Sequence, residues 1–325
     1  MSEPLLEVSD LHVRFRSRRG DALAVNGLDY VLEPGETLAV VGESGSGKSV
    51  TAQTIMGILD IPPGVITGGE IRFRGEDLLT ATEDRRREIR GSEIAMIFQD
   101  ALSALNPVFT VGFQIEEQLT IRLGMSKKDA RKRAIELLDI VRIPAAARRI
   151  KDYPHQFSGG MRQRAMIAMS LALDPELLIA DEPTTALDVT VQAQIMDLLA
   201  EIQAERHMGL ILITHDLGVV AEVADRIAVM YAGRIVENAD VHSLYANPCH
   251  PYTRSLLESI PRVDTKGTRL KAIRGLPPSL TRIPPGCPFH PRCPMAVDRC
   301  AEEVPLLAAL PSGRSSACLF AEELV

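Results

Sequence analysis

The sequence predicts an α/β fold in which buried strands alternate with helices and deliver polar side chains to one edge of a sheet. The first observation is an apolar run, Thr37–Val41, followed by a glycine-rich loop and a segment able to be helical, Ser49–Leu59. The second is that a further apolar run, Ile94–Phe98, ends directly in the polar residue Gln99. Because open α/β sheets bind ligands at the carboxyl ends of their strands, this edge is predicted to carry the functional site.

The loop after the first strand has the spacing G-x-x-x-x-G-K-S. This is the phosphate-binding loop of P-loop NTPases, and the strand–loop–helix context that it requires is present. Glycines let successive backbone N–H groups point at phosphate oxygens, and the helix start adds partial positive charge. We expect Lys48 to reach the β- and γ-phosphates and Ser49 to bind Mg²⁺. The loop residues predicted to contact the nucleotide are Gly42, Ser44, Gly45, Gly47, Lys48 and Ser49.

Composition restricts the class of protein. A length of 325 residues suits one large domain or two. The net charge of -7 does not suggest a nucleic-acid surface, so no nucleic-acid partner is expected. The first ten residues lack the basic and apolar regions of a signal peptide, and no apolar run approaches the roughly 18 residues that span a bilayer. The chain is therefore expected in the cytosol, where it can dock on a membrane protein.

The region before the loop and the region in the middle of the chain have different periodicities. Residues 5–36 alternate apolar and polar side chains, as half-exposed antiparallel strands do, and Glu70–Arg74 is a further predicted strand. Phe15 is the best-placed aromatic to stack on a base, with packing on the sheet an equally good interpretation from the sequence alone. From Val111 to about Arg149 the apolar period is helical, and its basic residues are interpreted as a solvated face. Ser126, with Asp129 three residues later, is a predicted helix N-cap within this region.

Two later strands end in residues suited to catalysis. The apolar run Leu177–Ala180 leads into two carboxylates. Asp181 is expected to complete the Mg²⁺ site, since Mg²⁺ prefers oxygen ligands, and Glu182 to orient and polarise the attacking water. The buried strand Leu210–Thr214 ends in His215, which is placed to contact the γ-phosphate. Four side chains are thus predicted to converge on the edge with the phosphate loop: Gln99, Asp181, Glu182 and His215.

A further anion-binding element is Ser158-Gly159-Gly160, which stands before a helical run. Together the motifs resemble the ATPase subunits of ABC transporters over residues 1 to about 240. The matching motifs are the base-stacking aromatic Phe15, Walker A at Gly42–Ser49, the Q-loop Gln99, the signature at Ser158–Met161, Walker B at Leu177–Asp181, the catalytic Glu182, the D-loop Ala186–Asp188 and the switch His215. The signature differs from the usual Leu-Ser-Gly-Gly-Gln at two positions, Phe157 and Met161. Both differences leave the Ser and Gly hydrogen-bond donors in place.

The resemblance implies a P-loop NTPase (RecA-like) core with an antiparallel β subdomain and an α-helical subdomain at about residues 104–157. Residues 1–240 would form the ATPase domain, and residues 241–325 a small Cys- and Pro-rich C-terminal region. ATP and Mg²⁺ are the implied ligands. The implied catalytic residues are Glu182, His215 and Gln99, the Mg²⁺ ligands are Ser49, Gln99 and Asp181, and the added nucleotide contacts are Ser158, Gly159 and Gly160.

Within this family the sequence is similar to that of dipeptide and oligopeptide importer ATPases. The similar segments are Tyr153–Met161, Thr184–Asp188, Asn247–Thr253 and the stretch Gly286–Cys293. Nickel importers share much of this pattern, so import of nickel or another small solute is the alternative. A soluble ABC ATPase would usually carry a coiled-coil insertion or two ATPase halves, and neither is present. A non-hydrolysing regulatory partner would have a degraded Glu182 or His215, and both are intact.

The resemblance also implies an assembly. Two ATPases would face each other with each ATP held between Walker A of one and the signature of the other, and the second ATPase is expected to be a different chain. Closure would drive two membrane-spanning subunits, which receive substrate from an extracytoplasmic solute-binding protein. Gln99 and the helical region after it would face the membrane subunits. The chain would lie peripherally at the cytoplasmic face of the bacterial membrane.

Four cysteines lie close together near the end of the chain, and Cys249 stands apart from them. Cys287, Cys293, Cys300 and Cys318 are separated by five, six and seventeen residues. In a reducing compartment such a cluster indicates a metal site, and zinc ribbons usually have closer pairs. Iron–sulfur clusters accept four thiolates at varied spacings, and the resemblance implies a [4Fe–4S] cluster here. Zinc, with His290 as an optional ligand, and unligated packing cysteines are the alternatives.

Overall fold

A computed structural model describes residues 3–18, 20–185, 187–260, 273–310 and 313–324. Within these ranges most strands fall where a run of apolar or alternating residues predicts them. The strands are β1 Leu6–Phe15, β2 Ala22–Leu32, β3 Thr37–Val41, β4 Gly64–Phe73, β5 Glu76–Asp77, β6 Ile94–Ile97, β7 Leu177–Asp181, β8 Gly209–Thr214, β9 Arg226–Tyr231, β10 Arg234–Asp240, β11 Ala308–Ala309 and β12 Ser315–Ser316.

The helices are mostly short, and several begin at a side chain that caps them. Ser126, the predicted N-cap, accepts a hydrogen bond from the backbone N–H of Asp129 at 3.2 Å. The helices are α1 Lys48–Ile55, α2 Glu83–Ser92, α3 Ala101–Ala104, α4 Val111–Leu123, α5 Lys127–Ile140, α6 Ala146–Arg149, α7 Gly159–Ser170, α8 Val189–Arg206, α9 Leu217–Val223, α10 Val241–Ala246, α11 Pro251–Glu258 and α12 Arg299–Glu302. Three-residue 3₁₀ turns lie at Pro154–Gln156, His290–Arg292 and Ala321–Glu323.

The chain divides into two compact units. The first comprises Met1–Glu33, Thr37–Thr80 and Ile213–Val325, and the second Pro34–Glu36 and Ala81–Leu212. The predicted domain boundary at residue 240 and the predicted helical subdomain at about residues 104–157 both remain predictions.

The first unit contains the antiparallel sheet that the alternation at residues 5–36 predicts. Its strand order is β2-β1-β4-β5. Along β1 the side chains alternate between buried and less buried positions, and Leu6 and Leu11 are fully enclosed. The strand β4 begins six residues before the predicted Glu70, because pairing with β1 extends as far as Gly64 opposite Phe15. Tertiary pairing has here overridden the weak local signal of a glycine-containing segment.

The first unit also contains the strands that lead to the phosphate loop and to the chain end. All five residues of β3 are buried, and β3 pairs in parallel with β9 from Leu38 opposite Arg226 to Val41 opposite Val229. β9 and β10 form an antiparallel pair, and β10 pairs on its other side with β12, which pairs with β11. The C-terminal segment therefore contributes strands to the same sheet as the strand before the phosphate loop.

The second unit is built from the parallel strands β6 and β7, with β8 next to β7, and from helices. Every residue of β7 is buried, as expected of a strand covered on both faces. The apolar stripe of α5 is buried at Ala134, Leu137 and Leu138, which confirms the helical period predicted for this region. In the part of the chain that the structure describes, no helix combines the length and the apolar character needed to cross a membrane.

Candidate nucleotide-binding site

The phosphate loop has a backbone that only glycine tolerates at two of its positions. Gly47 has φ of +108°, and a Cβ placed there would lie 2.2 Å from the carbonyl oxygen of Ala24. A Cβ at Gly42 would lie 2.2 Å from the carbonyl oxygen of Met230. The loop is therefore pressed against the backbones of β2 and β9, and the glycines predicted from the motif are required by close approach.

Lys48 lies within the loop. Its side chain is buried, and its Nζ donates to the carbonyl oxygens of Gly42 at 2.7 Å and Glu43 at 3.0 Å and contacts the Oγ of Ser46 at 3.4 Å. Lys48 is also the first residue of α1, so the ammonium and the positive end of the helix lie at the same place. Ser44 and Gly45 are exposed at the tip of the loop, and Ser49 is partly buried in the first turn of α1. This is a cradle suited to phosphate groups.

Two other predicted residues belong to the same unit as the loop. Phe15 is half-buried at the end of β1 opposite Ala22. His215 is exposed and follows β8 directly, one residue before Asp216, whose carboxylate caps α9 by accepting the Gly218 N–H at 2.9 Å. The predicted contacts of Phe15 with the base and of His215 with the γ-phosphate stay predictions.

In the second unit Gln99 and Glu182 are neighbours. Parallel pairing places Ile97 opposite Ala180, so the residues two positions further along each strand come side by side. The Nε2 of Gln99 donates to the Oε2 of Glu182 at 3.1 Å. Asp181, the last residue of β7, is buried, with only 4% of its surface exposed. The strand register thus brings two of the predicted strand-end side chains into contact.

Glu182 has an unusual backbone conformation, with φ of +46°. Residues held in this region cost free energy and are concentrated at functional sites. Thr185 Oγ1 donates to Glu182 Oε2 at 2.9 Å, so two side chains hold the same carboxylate oxygen. Sequence reasoning missed the role of Thr185, although the residue lies in the quoted segment Thr184–Asp188. The signal was a hydroxyl three residues after the carboxylate.

The signature segment caps a helix. Ser158 is the N-cap of α7, and its Oγ accepts the Met161 N–H at 3.3 Å. A Cβ at Gly160 would lie 2.7 Å from Val191 Cγ1, so α7 approaches α8 closely at this point. Of the predicted D-loop, Ala186 lies outside the described residues, and Asp188 caps α8 by accepting the Val191 N–H at 3.0 Å. The backbone N–H groups at Gly159 and Gly160 begin a helix, which is the arrangement expected of an anion-binding segment.

The four C-terminal cysteines line a single cavity, together with His290 and Phe289. Burial raises the pKa of the Cys287 thiol to about 11 and also raises the pKa values of Cys293 and Cys318. Across the described ranges, no group of three or more His, Cys, Asp or Glu side chains is arranged to hold a metal ion. The predicted iron–sulfur cluster is therefore not supported by this arrangement, although its proposed ligands share a cavity.

One contact of the phosphate loop was not anticipated. Arg292 stands in the sequence between Cys287 and Cys293. Its guanidinium donates to both carboxylate oxygens of Glu43. The two residues are 249 positions apart. No periodicity or spacing in the sequence indicates such a pair.

Comparison with known proteins gives this geometry a family. The ABC transporter family model matches residues 25–185, and the model of the oligopeptide/dipeptide transporter C-terminal region matches residues 236–300. A protein of Brucella abortus (strain 2308) that carries the name "peptide import ATP-binding protein" is 54% identical over 97% of this chain and 94% of its own length. A protein of Brucella melitensis with the same name is 50% identical over 99% of this chain and 98% of its own length.

Solved structures agree with this. The ATP-binding cassette MJ0796, in a dimeric post-hydrolysis state bound to ADP and Pi, is 27% identical, with a TM-score of 0.66 over 73% of this chain and 98% of that one. The protein cbiO1 from Clostridium perfringens, part of an ABC transporter complex, is 28% identical, with a TM-score of 0.64 over 75% of this chain and 92% of that one.

The chain therefore belongs to the ATP-binding proteins of ABC transporters. Within that family, the chain belongs to the proteins that carry the oligopeptide/dipeptide transporter C-terminal region. The predicted α/β P-loop fold is confirmed. Membership implies ATP hydrolysis coupled to transport, with Mg²⁺ as the expected cofactor and membrane permeases as partners.

Proposed function

We propose that this chain is the ATP-hydrolysing subunit of an importer for di- and oligopeptides, bound to the cytoplasmic face of the bacterial membrane. The observation that carries the proposal is a phosphate loop that encloses Lys48, in a chain at least 49% identical to several relatives named for peptide import. The match of residues 236–300 to the oligopeptide/dipeptide transporter region supports the choice of substrate. Nickel or another small solute is the alternative cargo.

At the nucleotide, the loop N–H groups and Lys48 would bind the phosphates. Ser49, Gln99 and Asp181 would hold Mg²⁺, which would supply positive charge to offset that of the phosphates. Glu182 would orient and polarise the attacking water. The bonds from Gln99 and Thr185 to one oxygen of Glu182 support this role, because they fix the plane of its carboxylate.

A second ATPase would complete each site. Ser158, Gly159 and Gly160 begin α7 and would offer its N-terminal N–H groups to the ATP bound by the partner. The dimeric arrangement described for MJ0796 supports a paired assembly. We propose that the partner is a different chain. His215 would contact the γ-phosphate, and Phe15 would stack on the base.

The helical part of the second unit offers a surface for the membrane-spanning subunits. Three large apolar side chains there are exposed: Val108 by 69%, Phe109 by 43% and Phe113 by 42%. The rings of Phe109 and Phe113 stack with centroids 4.8 Å apart. Exposed apolar groups of this kind mark interaction sites, and they follow Gln99 in the chain by about ten residues. We propose that they contact a pair of permeases that receive substrate from an extracytoplasmic binding protein.

The experiment that tests this function is isolation of the chain from native membranes in a gentle detergent, followed by mass spectrometry. The proposal expects two polytopic membrane proteins, a second ATPase and a solute-binding protein. Ligand release from that binding protein then separates the cargoes, since peptides support peptide import and nickel supports the alternative. Recovery of soluble or ribosomal partners alone would reject a transport role and leave the ATPase chemistry in place.

The [4Fe–4S] cluster remains a proposal that rests on the shared cavity of Cys287, Cys293, Cys300 and Cys318 and on the family resemblance. Its test is iron and sulfide analysis of protein purified without oxygen. A brown protein with about four iron atoms per chain is expected. Colourless protein without iron would reject the cluster, and bound zinc would favour the alternative metal. No step of the ATPase reaction is assigned to the cluster.

A further inference from the structure

The side chain of Arg292 is almost fully enclosed and directed at the phosphate loop. Only 5% of the side chain is exposed, against 25% for that of Glu43. Its Nη1 lies 2.6 Å from Glu43 Oε2 and its Nη2 lies 2.9 Å from Glu43 Oε1, a two-pronged pairing. The Nε donates to the carbonyl oxygen of Arg274 at 3.0 Å, and Nη1 also donates to the Tyr231 hydroxyl at 3.2 Å. Every nitrogen of the guanidinium is therefore used.

The backbone of Glu43 is held from the same side. Its N–H donates to the hydroxyl oxygen of Tyr252 at 2.9 Å. Tyr252 and Phe289 belong to the C-terminal part of the chain, and both rings pack against Tyr231 of β9, with centroids 4.5 Å and 5.4 Å away. Arg292 and Tyr252 of the C-terminal part thus hold the side chain and the backbone, respectively, of one loop residue.

The charge of Glu43 makes this contact consequential. Glu43 follows Gly42 in a loop whose proposed ligand is a polyphosphate, so a carboxylate directed into the loop would repel that ligand. The pairing with Arg292 neutralises the carboxylate and fixes it toward the C-terminal segment. Because every nitrogen of the Arg292 guanidinium already has a protein partner, Arg292 would act on the nucleotide through Glu43 and not by contact.

We propose that Arg292 is a positioning residue for the phosphate loop, which keeps the carboxylate of Glu43 away from the nucleotide phosphates and couples nucleotide affinity to the cysteine-lined C-terminal segment. This inference rests on the proposed role of Gly42–Ser49 as the ATP site. Loss of a residue that orients a metal ligand typically costs about 10- to 100-fold in affinity, and by analogy we take the lower value as the expected effect here.

The test measures ATP affinity with a fluorescent nucleotide for wild type, Arg292→Met, Glu43→Gln and the double variant. Arg292→Met is expected to weaken ATP binding by about tenfold, because the Glu43 carboxylate is released beside the loop. Adding Glu43→Gln to Arg292→Met is expected to bring affinity back to within about threefold of wild type, since the repelling charge is gone. A purely structural role would instead give losses that add.

Ionic strength gives a second readout. The ratio between Arg292→Met and wild-type dissociation constants is expected to shrink as salt rises from about 50 mM to about 500 mM, because screening weakens repulsion at the exposed loop. The matched control is Arg299→Met, which removes an exposed ion pair with Glu303 in the same segment and is expected to bind ATP as wild type does.

Arg292→Lys keeps the charge and loses the two-pronged pairing, so it provides the measurement if Arg292→Met folds poorly, as judged by thermal unfolding. An intermediate affinity is expected for it. Wild-type ATP affinity in whichever Arg292 variant folds, or additive losses in the double variant, would overturn the inference. Failure of the wild-type chain to bind ATP at all would instead overturn the proposed function, so the two failures are distinguishable.

Discussion

The Nε2 of Gln99 lies 3.1 Å from the Oε2 of Glu182, although 83 residues separate them. The contact follows from the parallel register of β6 and β7, which places Ile97 opposite Ala180. A movement of the segment after β6 would therefore change the hydrogen bond to Glu182, whose carboxylate is proposed to activate water. The exposed rings of Phe109 and Phe113 follow Gln99 by about ten residues in the chain, so a short segment joins the proposed permease surface to the proposed catalytic carboxylate.

Glu182→Gln is expected to bind ATP normally and to hydrolyse it about 10²- to 10⁴-fold more slowly, because the amide cannot accept a proton from the attacking water. Single-turnover hydrolysis and nucleotide binding by the purified complex measure the two effects separately. Glu201→Gln, which changes an exposed acid on α8, is the control and should keep the wild-type rate. Normal turnover by Glu182→Gln would remove Glu182 from the catalytic role.

Lys48→Ala is expected to weaken ATP binding by about 100-fold, because it removes a charged donor enclosed by the phosphate loop. Equilibrium binding of labelled ATP measures this, with thermal unfolding to show that the chain still folds. The exposed Lys128 of α5 offers a matched change, and Lys128→Ala should bind ATP as wild type does. Equal affinities in the two variants would place the phosphates elsewhere.

Replacing Phe109 and Phe113 together by serine is expected to reduce recovery of the membrane subunits by about tenfold, since two exposed aromatic anchors are lost from the proposed interface. ATP binding should not change. Co-purification from membranes is the measurement. Leu276→Ser alters an apolar side chain that is 88% exposed in the other unit, and its complex should stay intact. Full recovery of permeases with the double variant would exclude this surface.

His250 predicts an acid-sensitive C-terminal segment. Burial lowers its pKa from 6.5 to about 3, and its Nδ1 accepts the Tyr252 N–H that begins α11. In the unfolded chain His250 binds a proton below about pH 6.5, whereas in the folded chain it stays unprotonated down to about pH 3. Stability is therefore lost as pH falls from 6.5 toward 3. Between pH 7 and pH 5 the loss from this group is about 2 kcal/mol.

Urea unfolding at the two pH values measures that loss. His250→Asn keeps an N-cap acceptor for α11 and has no group that titrates in this range, so its stability should fall less than that of the wild type over the same interval. The exposed His242 is the control, and His242→Asn should keep the wild-type pH dependence. An unchanged pH dependence in His250→Asn would show that other groups, such as the neighbouring buried Glu237, determine it.

The sequence was sufficient for those features that local rules determine. The phosphate loop, the strand ends and the N-cap at Ser126 each follow from spacing or periodicity within about ten residues. The partnership of Gln99 with Glu182 needed the register of two strands, which periodicity alone does not give. The pairing of Arg292 with Glu43 was not predictable, because an ion pair between distant loops has no periodic signature and either charge alone is typical of a solvated surface.

The pairing of β12 with β10 has a consequence for solubility. β10 would otherwise present a row of backbone N–H and C=O groups to solvent, and such an edge templates association between chains. Glu237 and Asn238 of β10 are instead matched with Ser316 and Ser315. A chain shortened before residue 308 would lack β11 and β12, which would leave the edge of β10 uncovered, and it is expected to self-associate. The C-terminal strands therefore also limit aggregation.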